Sequence, residues 1–112
     1  TGEVLGACAP LIVATFLGRS NPHNDSSQVS KLQTFLDENG FGTFSPPTGF
    51  FGASTETAVK AFQLKYASEI LTPWGLTEPT GNVYLTTQRM INLLACPGSQ
   101  IPLPALIPWA GK

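Results

Sequence analysis

The stretch "GFFGASTETAVKAFQ", residues 49–63, decides the fold of this chain. Two glycines, Gly49 and Gly52, bracket a pair of phenylalanines, and a Ser/Thr cluster follows. Apolar residues then recur at helical spacing. This order predicts a tight glycine turn that leads directly into a buried helix.

The same arrangement returns later in the chain. The segments that begin at Thr48 and Thr80 superpose at an offset of 32 residues, and each has Thr-Gly, an apolar residue two positions after the glycine, and a hydroxyl pair. The glycines are predicted to hold unusual backbone angles, with Phe51 and Val83 packed beneath the helices that they precede. The hydroxyl pairs are predicted to cap those helices: Ser54, Thr55, Thr86 and Thr87.

Four helices are predicted from the periodicity of the apolar residues. The first covers residues 9–17, and the second starts at Asp25 or Ser26 and ends at Asn39-Gly40. The third and fourth start near Thr55 and Thr87. The residues expected to face the core are Val29, Leu32, Phe35, Leu36, Ala58, Val59, Phe62, Tyr66, Met90, Ile91 and Leu94.

Composition excludes several classes of partner. The 112 residues suit one small domain, and 42% hydrophobic content is enough for a core. Charged residues make up only 12% and the net charge is −1, so neither nucleic acid nor an anionic membrane is an expected partner. No apolar run approaches the ~20 residues of a membrane span.

The chain changes character after Cys96. The segment "PGSQIPLPALIPWAGK" is rich in proline and cannot be helical. It is predicted to be an extended arm or linker. The domain is therefore expected to span residues 1–97, and the tail residues 98–112.

Cys8 and Cys96 lie near the two ends of the predicted domain. Two thiols and one histidine are too few for a zinc site. The favoured interpretation is one disulfide formed in an oxidising, extracytoplasmic setting. It would stabilise the fold by about 4 kcal/mol in the chain-entropy treatment. The alternative is two buried free thiols.

Catalytic chemistry finds little support in the sequence. His23 stands alone in a loop, without the further ligands or the nucleophile that a peptidase requires. The carboxylate pairs Asp37/Glu38 and Glu69/Glu78 do not form a persuasive glycosidase pair. We expect no enzyme activity, no metal and no cofactor.

Three motifs in the chain resemble a known family. They are "VSKLQTFL" at 29–36, "GFFGASTETAVKAFQ" at 49–63 and "TGNVYLTT" at 80–87. The helical peptidoglycan-binding domain typically reads V-x-x-L-Q-x-x-L, then G-x-F-G-x-x-T-x-x-A-V-x-x-F-Q, then T-G-x-V-x-x-x-T. The resemblance spans about residues 26–95. Thr48 stands where that family often has Asp or Asn, and the link "YASEILTPWGLTEP" is longer than usual.

The resemblance implies a fold and a function. The fold is all-α: a compact three-helix bundle, here with an extra N-terminal helix and an extended, proline-rich C-terminal tail. The function is non-covalent, non-catalytic binding to bacterial cell-wall peptidoglycan, through its glycan or its stem peptide. Such a module attaches itself or a linked protein to the wall, and therefore works outside the cytoplasm.

Ligand contacts are expected from aromatic faces and a few convergent polar groups. Phe50 is the leading candidate, because its neighbour Phe51 fills the buried motif position. Trp74 is interpreted as a loop anchor more than as a ligand platform. The full set of candidate ligand-binding residues is Phe44, Phe50, Gly52, Thr57, Gln63, Tyr66 and Tyr84.

An alternative function rests on the tail. Residues 98–112 carry apolar side chains between prolines, which is unusual for a free linker. The chain would then be a subunit of an extracellular self-assembling structure. In that case the fold serves as a packing unit, and the tail docks on other copies or on a neighbouring domain.

Overall fold

The chain folds into helices joined by long loops. The structure is a computed structural model, and it describes residues 11–12, 16–19, 21, 23–44, 46–96 and 106. Over these ranges it is all-α, as predicted, and contains no strand. The helices are α1 (Ser26–Glu38), α2 (Ala53–Lys65), α3 (Ala67–Ile70) and α4 (Leu85–Ala95), with a 3-10 turn (Thr72–Trp74) between α3 and α4.

Helix α1 has defined signals at both ends. Asp25 is the N-cap, and its carboxylate accepts hydrogen bonds from the backbone N–H groups of Ser27 and Gln28. At the other end Gly40 has φ +82°. The backbone N–H of Phe41 there bonds to the carbonyl of Leu36 at 2.9 Å, which makes a Schellman motif. The predicted start and stop of this helix are confirmed.

The predicted apolar stripes form the core. Phe62 of α2 lies at its centre, with edge-to-face contacts to Phe35 at 5.6 Å and Phe41 at 5.4 Å between ring centroids. Tyr66, Met90 and Leu94 pack against the core while half-buried. The predicted core residues that are buried are Val29, Leu32, Phe35, Leu36, Ala58, Val59, Phe62 and Ile91.

The first glycine turn is held by a buried glutamine of α1. Gln33 accepts hydrogen bonds at Oε1 from the backbone N–H groups of Thr48 and Gly49, at 2.9 and 3.0 Å. Its Nε2 donates to the carbonyl of Phe50 and to the hydroxyls of Thr48 and Thr55. Gly49 has φ +77°, a conformation that favours glycine.

The second turn is held in the same way by Gln63 of α2. Its Oε1 accepts from the N–H groups of Thr80 and Gly81, and its Nε2 donates to the carbonyl of Asn82. That Nε2 also donates to the hydroxyls of Thr80 and Thr87. The sequence repeat is therefore a repeat in structure, with a glutamine locking each turn.

The predicted helix caps are wrong. Helices α2 and α4 begin at Ala53 and Leu85, two residues before the predicted starts, and neither has a side-chain cap. The hydroxyls of Thr55 and Thr87 instead accept hydrogen bonds from the locking glutamines. Thr86 donates its hydroxyl to the carbonyl of Ile70 at 2.7 Å.

The extra N-terminal helix is not found at its described residues, because Leu11, Ile12, Phe16 and Leu17 are not helical. Leu17 forms an antiparallel bridge with Val83, with N–H···O distances of 3.0 and 2.7 Å. Backbone groups that bond to another segment are not available for helical bonds. A short, wholly apolar run suits a buried extended segment as well as a helix.

Some predictions lie outside the described residues. Cys8 lies outside the described residues, so the Cys8–Cys96 disulfide stays a prediction. In the tail at 98–112 the structure describes only Leu106. The domain boundary at residue 97 therefore also stays a prediction.

Candidate functional site

An apolar groove opens beside the second glycine turn. It has a cavity volume of about 220 Å³. Its walls come from the N-terminal segment, the link between α2 and α4, and the start of α4. The lining residues are Phe16, Gln63, Ile70, Leu71, Trp74, Leu76, Thr80, Asn82, Tyr84, Thr86 and Thr87.

Three aromatic rings shape the groove. Trp74 and Tyr84 are stacked, with ring centroids 6.0 Å apart and an interplanar angle of 23°. The ring of Phe16 contacts that of Tyr84, with centroids 5.8 Å apart and an interplanar angle of 55°. Trp74 donates its indole N–H to the hydroxyl of Thr86 at 2.9 Å, which fixes the orientation of the indole. The long link therefore folds into a 3-10 turn that supplies one aromatic wall.

The polar groups in the floor of the groove already form hydrogen bonds within the protein. Gln63 uses both atoms of its amide to hold the second turn, and it is 1% exposed. Thr80 accepts hydrogen bonds at its hydroxyl from Gln63 and from the backbone of Asn82. Thr86 accepts from Trp74 and donates to Ile70. A ligand therefore meets mostly apolar surface here.

Asn82 is the exception among the polar residues of the groove. Its backbone N–H and carbonyl are used in the turn, by Thr80 and Gln63. Its side-chain amide is half-buried and forms no hydrogen bond with any residue that the structure describes. A carboxamide offers both donors and an acceptor. Asn82 can therefore make hydrogen bonds to a ligand.

None of the described residues that line the groove carries a formal charge. Two ion pairs lie among the described residues elsewhere, Arg19–Glu56 at 3.3 Å and Arg89–Glu69 at 3.5 Å. No cluster of three metal-ligating side chains is found in the part of the chain that the structure describes. Within the same ranges, no helix has the length and apolar character needed to cross a membrane.

The predicted ligand residues do not all meet at one place. Gln63 and Tyr84 both line the groove, although Gln63 serves the fold. Phe44 is buried in the core at 8% exposure, and Tyr66 packs on Phe62 at 5.1 Å. None of the other predicted residues lines the groove.

A second surface surrounds the first glycine turn. Phe50 there is 73% exposed. Gly52 forms the N-cap of α2, and Thr57 is exposed on the same helix. Phe50 and Thr57 are therefore open to solvent, apart from the groove.

Of the residues that line the groove, the sequence predicts only Gln63 and Tyr84 as ligand residues, and it gives Trp74 only an anchoring role. The apolar run at 9–17 predicts a helix that contains Phe16, and the contact of Phe16 with Tyr84 has no signal in the local sequence. The sequence does contain a signal for Asn82. In the repeat, Asn82 holds the turn position that Phe50 holds in the first copy, between the glycine and the buried apolar residue. Phe50 is exposed at this position, whereas Asn82 is half-buried and lines the groove.

Comparison with known proteins supports the resemblance seen in the motifs. Residues 25–68 match a family model described as "Putative peptidoglycan binding domain". No curated protein and no solved structure matches the chain. The matched range contains α1, the first glycine turn and α2, whereas the predicted resemblance extended to residue 95. Among the described lining residues of the groove, only Gln63 falls inside it. Over residues 25–68 the chain is therefore similar to the peptidoglycan-binding family, and the predicted resemblance is confirmed there.

Proposed function

We propose that this chain is a non-catalytic module that attaches itself, or a protein linked to it, to bacterial peptidoglycan. The observation that carries the proposal is the family match over residues 25–68. Binding to the wall implies a location outside the cytoplasmic membrane. An oxidising compartment of that kind would also suit the predicted Cys8–Cys96 disulfide.

The groove is the surface that best fits this function. It is concave, mostly apolar and rimmed by aromatic rings, and such surfaces suit small ligands. The ring of Tyr84 contacts the rings of both Phe16 and Trp74. The exposed Phe50 and its neighbours Gly52 and Thr57 form the competing surface.

The proposal is tested by pelleting the purified chain with purified sacculi. We expect the intact chain to pellet with sacculi and to stay in solution without them. Tyr84→Ala removes the ring that contacts both other aromatic rings and should weaken the binding at least tenfold, as expected for an aromatic anchor. Phe50→Ala is the matched control, because it removes an aromatic ring from the first turn and leaves the groove intact.

Three outcomes decide between the surfaces. Loss of binding with Tyr84→Ala alone supports the groove, and loss with Phe50→Ala alone assigns binding to the first turn. If the intact chain stays in solution with sacculi, the proposed function is wrong. Helix content measured by circular dichroism must be equal in all three proteins.

The alternative function, a self-assembling subunit, has no supporting observation. It rests on residues 98–112, of which the structure describes only Leu106. The tube without sacculi tests it, because an assembling subunit would pellet there.

A further inference from the structure

We propose that the groove binds the glycan of the wall through the acetamido group of an N-acetylhexosamine, and does not bind the stem peptide. This inference rests on the proposed function and names the chemistry of its ligand. It follows from three properties of the groove: its charge, its aromatic walls and the side-chain amide of Asn82.

The first property is the lack of charge. None of the described side chains that line the groove is acidic or basic. A stem peptide carries free carboxylates, and a carboxylate that enters an uncharged, apolar groove loses hydration without gaining an ion pair. An N-acetylglucosamine unit carries no charge, so it avoids that cost.

The second property is the shape of the apolar surface. The cavity of about 220 Å³ is smaller than the ~300–1,000 Å³ typical of pockets that enclose a drug-sized molecule. A groove of this size suits one ring or one substituent of a longer chain. The rings of Phe16, Trp74 and Tyr84 line the groove and offer apolar surface for the C–H groups of a sugar and for an acetyl methyl group.

The third property is the available carboxamide. An acetamido group has one N–H donor and one carbonyl acceptor. The amide of Asn82 has the complementary acceptor and donors, and no described residue occupies them. Pairing the two amides would satisfy both groups beside the apolar wall.

The N-terminal segment contributes to this selectivity. Phe16 lies outside the range that matches the family, and its ring lines the groove beside that of Tyr84. Asn82 lies against the same segment, since a methyl group at Gly18 would approach its Oδ1 to 2.6 Å. The segment therefore positions both an apolar wall and the polar contact. The acetamido preference is accordingly a property of this chain beyond the matched range.

The test is a titration calorimetry experiment on the full chain with two uncharged tetrasaccharides. One is the β-1,4-linked tetramer of N-acetylglucosamine, and the other is cellotetraose, which has a hydroxyl in place of each acetamido group. We expect the acetylated tetramer to bind at least tenfold more tightly. A soluble stem tetrapeptide should neither bind nor displace the tetramer.

Two variants locate the contact. Asn82→Leu keeps a similar volume and removes the carboxamide, so the affinity for the acetylated tetramer should fall about tenfold, the value of one good hydrogen bond. Phe50→Leu is the matched control, because residue 50 holds the same turn position in the first copy. Its affinity should equal that of the intact chain.

The outcomes separate this inference from the proposed function. Equal binding of the two tetrasaccharides, or an unchanged affinity in Asn82→Leu, overturns the acetamido contact. Binding to sacculi together with displacement by the stem peptide overturns the glycan assignment and leaves wall binding in place. If neither sacculi nor the tetramer binds, both proposals fail.

Discussion

At the scale of single residues, two glutamines do most to shape this molecule. Gln33 and Gln63 each satisfy two backbone N–H groups and one carbonyl of a glycine turn, with nearly identical distances. A glutamine suits this position because its amide has donors and acceptors on a chain long enough to reach from a helix to a loop. Sequence reasoning assigned Gln63 to ligand binding, since long polar side chains are usually at the surface.

The two glutamines are expected to differ in their importance for stability. Gln63→Leu leaves the N–H of Gly81 without a partner in a buried position. Gln33→Leu removes the partner of the N–H of Gly49, but Gly49 is half-buried, so water can replace the lost hydrogen bond. We expect Gln63→Leu to lower the free energy of unfolding by about 2–5 kcal/mol, and Gln33→Leu by less. Urea denaturation measures both. Equal losses would mean that burial of the turn does not set the cost.

The backbone conformation of two glycines leads to a second prediction at the scale of single residues. Gly40 and Gly49 have nearly the same φ, +82° and +77°. A methyl group at Gly40 meets nothing within 4 Å, but at Gly49 it lies 3.3 Å from the carbonyl oxygen of Ser26. Gly40→Ala should therefore cost about 1–2 kcal/mol from the left-handed backbone alone. Gly49→Ala should cost measurably more in the same thermal denaturation series, and an equal cost would rule out the contact as a cause.

At the scale of elements, the N-terminal segment is joined to the helices by specific backbone bonds. Leu17 pairs with Val83, and Asn92 of α4 bonds to both the N–H and the carbonyl of Ile12, at 2.9 and 3.0 Å. Residues 11–17 have the composition of a helix and of a buried extended segment alike. Their partners lie more than 60 residues away in the chain, so no local pattern could have chosen between the two.

The helical elements were more predictable because their signals are local. The cap at Asp25, the glycine at position 40 and the apolar stripe of α1 lie within one stretch of sequence. The starts of α2 and α4 were missed by two residues because the threonine hydroxyls bond to glutamines on another helix. The groove needs three separate segments to come together, so only Gln63 and Tyr84 of its lining were predicted as site residues.

Asn92 is expected to hold the N-terminal segment in place. Asn92→Leu leaves the N–H and carbonyl of Ile12 buried without partners, and should cost about 2–4 kcal/mol of stability. Amide hydrogen exchange at Ile12 and Leu17 should accelerate more than exchange in α1. Asn39→Leu is the control, because it removes a side-chain bond to the exposed end of α1. Uniform acceleration across all helices would instead indicate a global loss of stability.

Gly18 tests whether the same segment shapes the groove. An added methyl group would lie 2.6 Å from Oδ1 of Asn82 and 2.8 Å from Cε1 of Phe16, so Gly18→Ala must displace groove-lining side chains. We expect weaker binding to sacculi and a stability loss of about 1–3 kcal/mol. Gly42→Ala makes a similar clash, 2.7 Å from the ring of Phe44, which does not line the groove. The Gly42→Ala variant should lose stability but still bind sacculi. Equal losses of binding in the two variants would argue against the groove as the binding site.

At the scale of the whole molecule, the two copies of the glutamine-locked turn differ in their surroundings. The first copy lies in the range that matches the family and presents an exposed Phe50. The second copy is flanked by the long link and by the N-terminal segment, and their side chains enclose the groove. The family match alone therefore describes a helical core, whereas the candidate site is built largely by what surrounds it.

From this arrangement we predict that the range matching the family does not fold stably without the residues that precede it. Deleting residues 1–24 removes Ile12, Phe16 and Leu17, which are 1%, 6% and 0% exposed. Burial of each such side chain contributes about 1.5–3 kcal/mol, so the loss approaches the ~5–15 kcal/mol that stabilises a whole domain. We expect the truncated chain to lose its cooperative thermal transition.

The full-length double variant Cys8→Ser/Cys96→Ser is the control, because it removes only the predicted disulfide. It should keep a cooperative transition at a lower temperature. If the truncated chain melts as cooperatively as this control and at the same temperature, the N-terminal segment is an accessory to the fold, and its contacts with α4 matter for the groove alone.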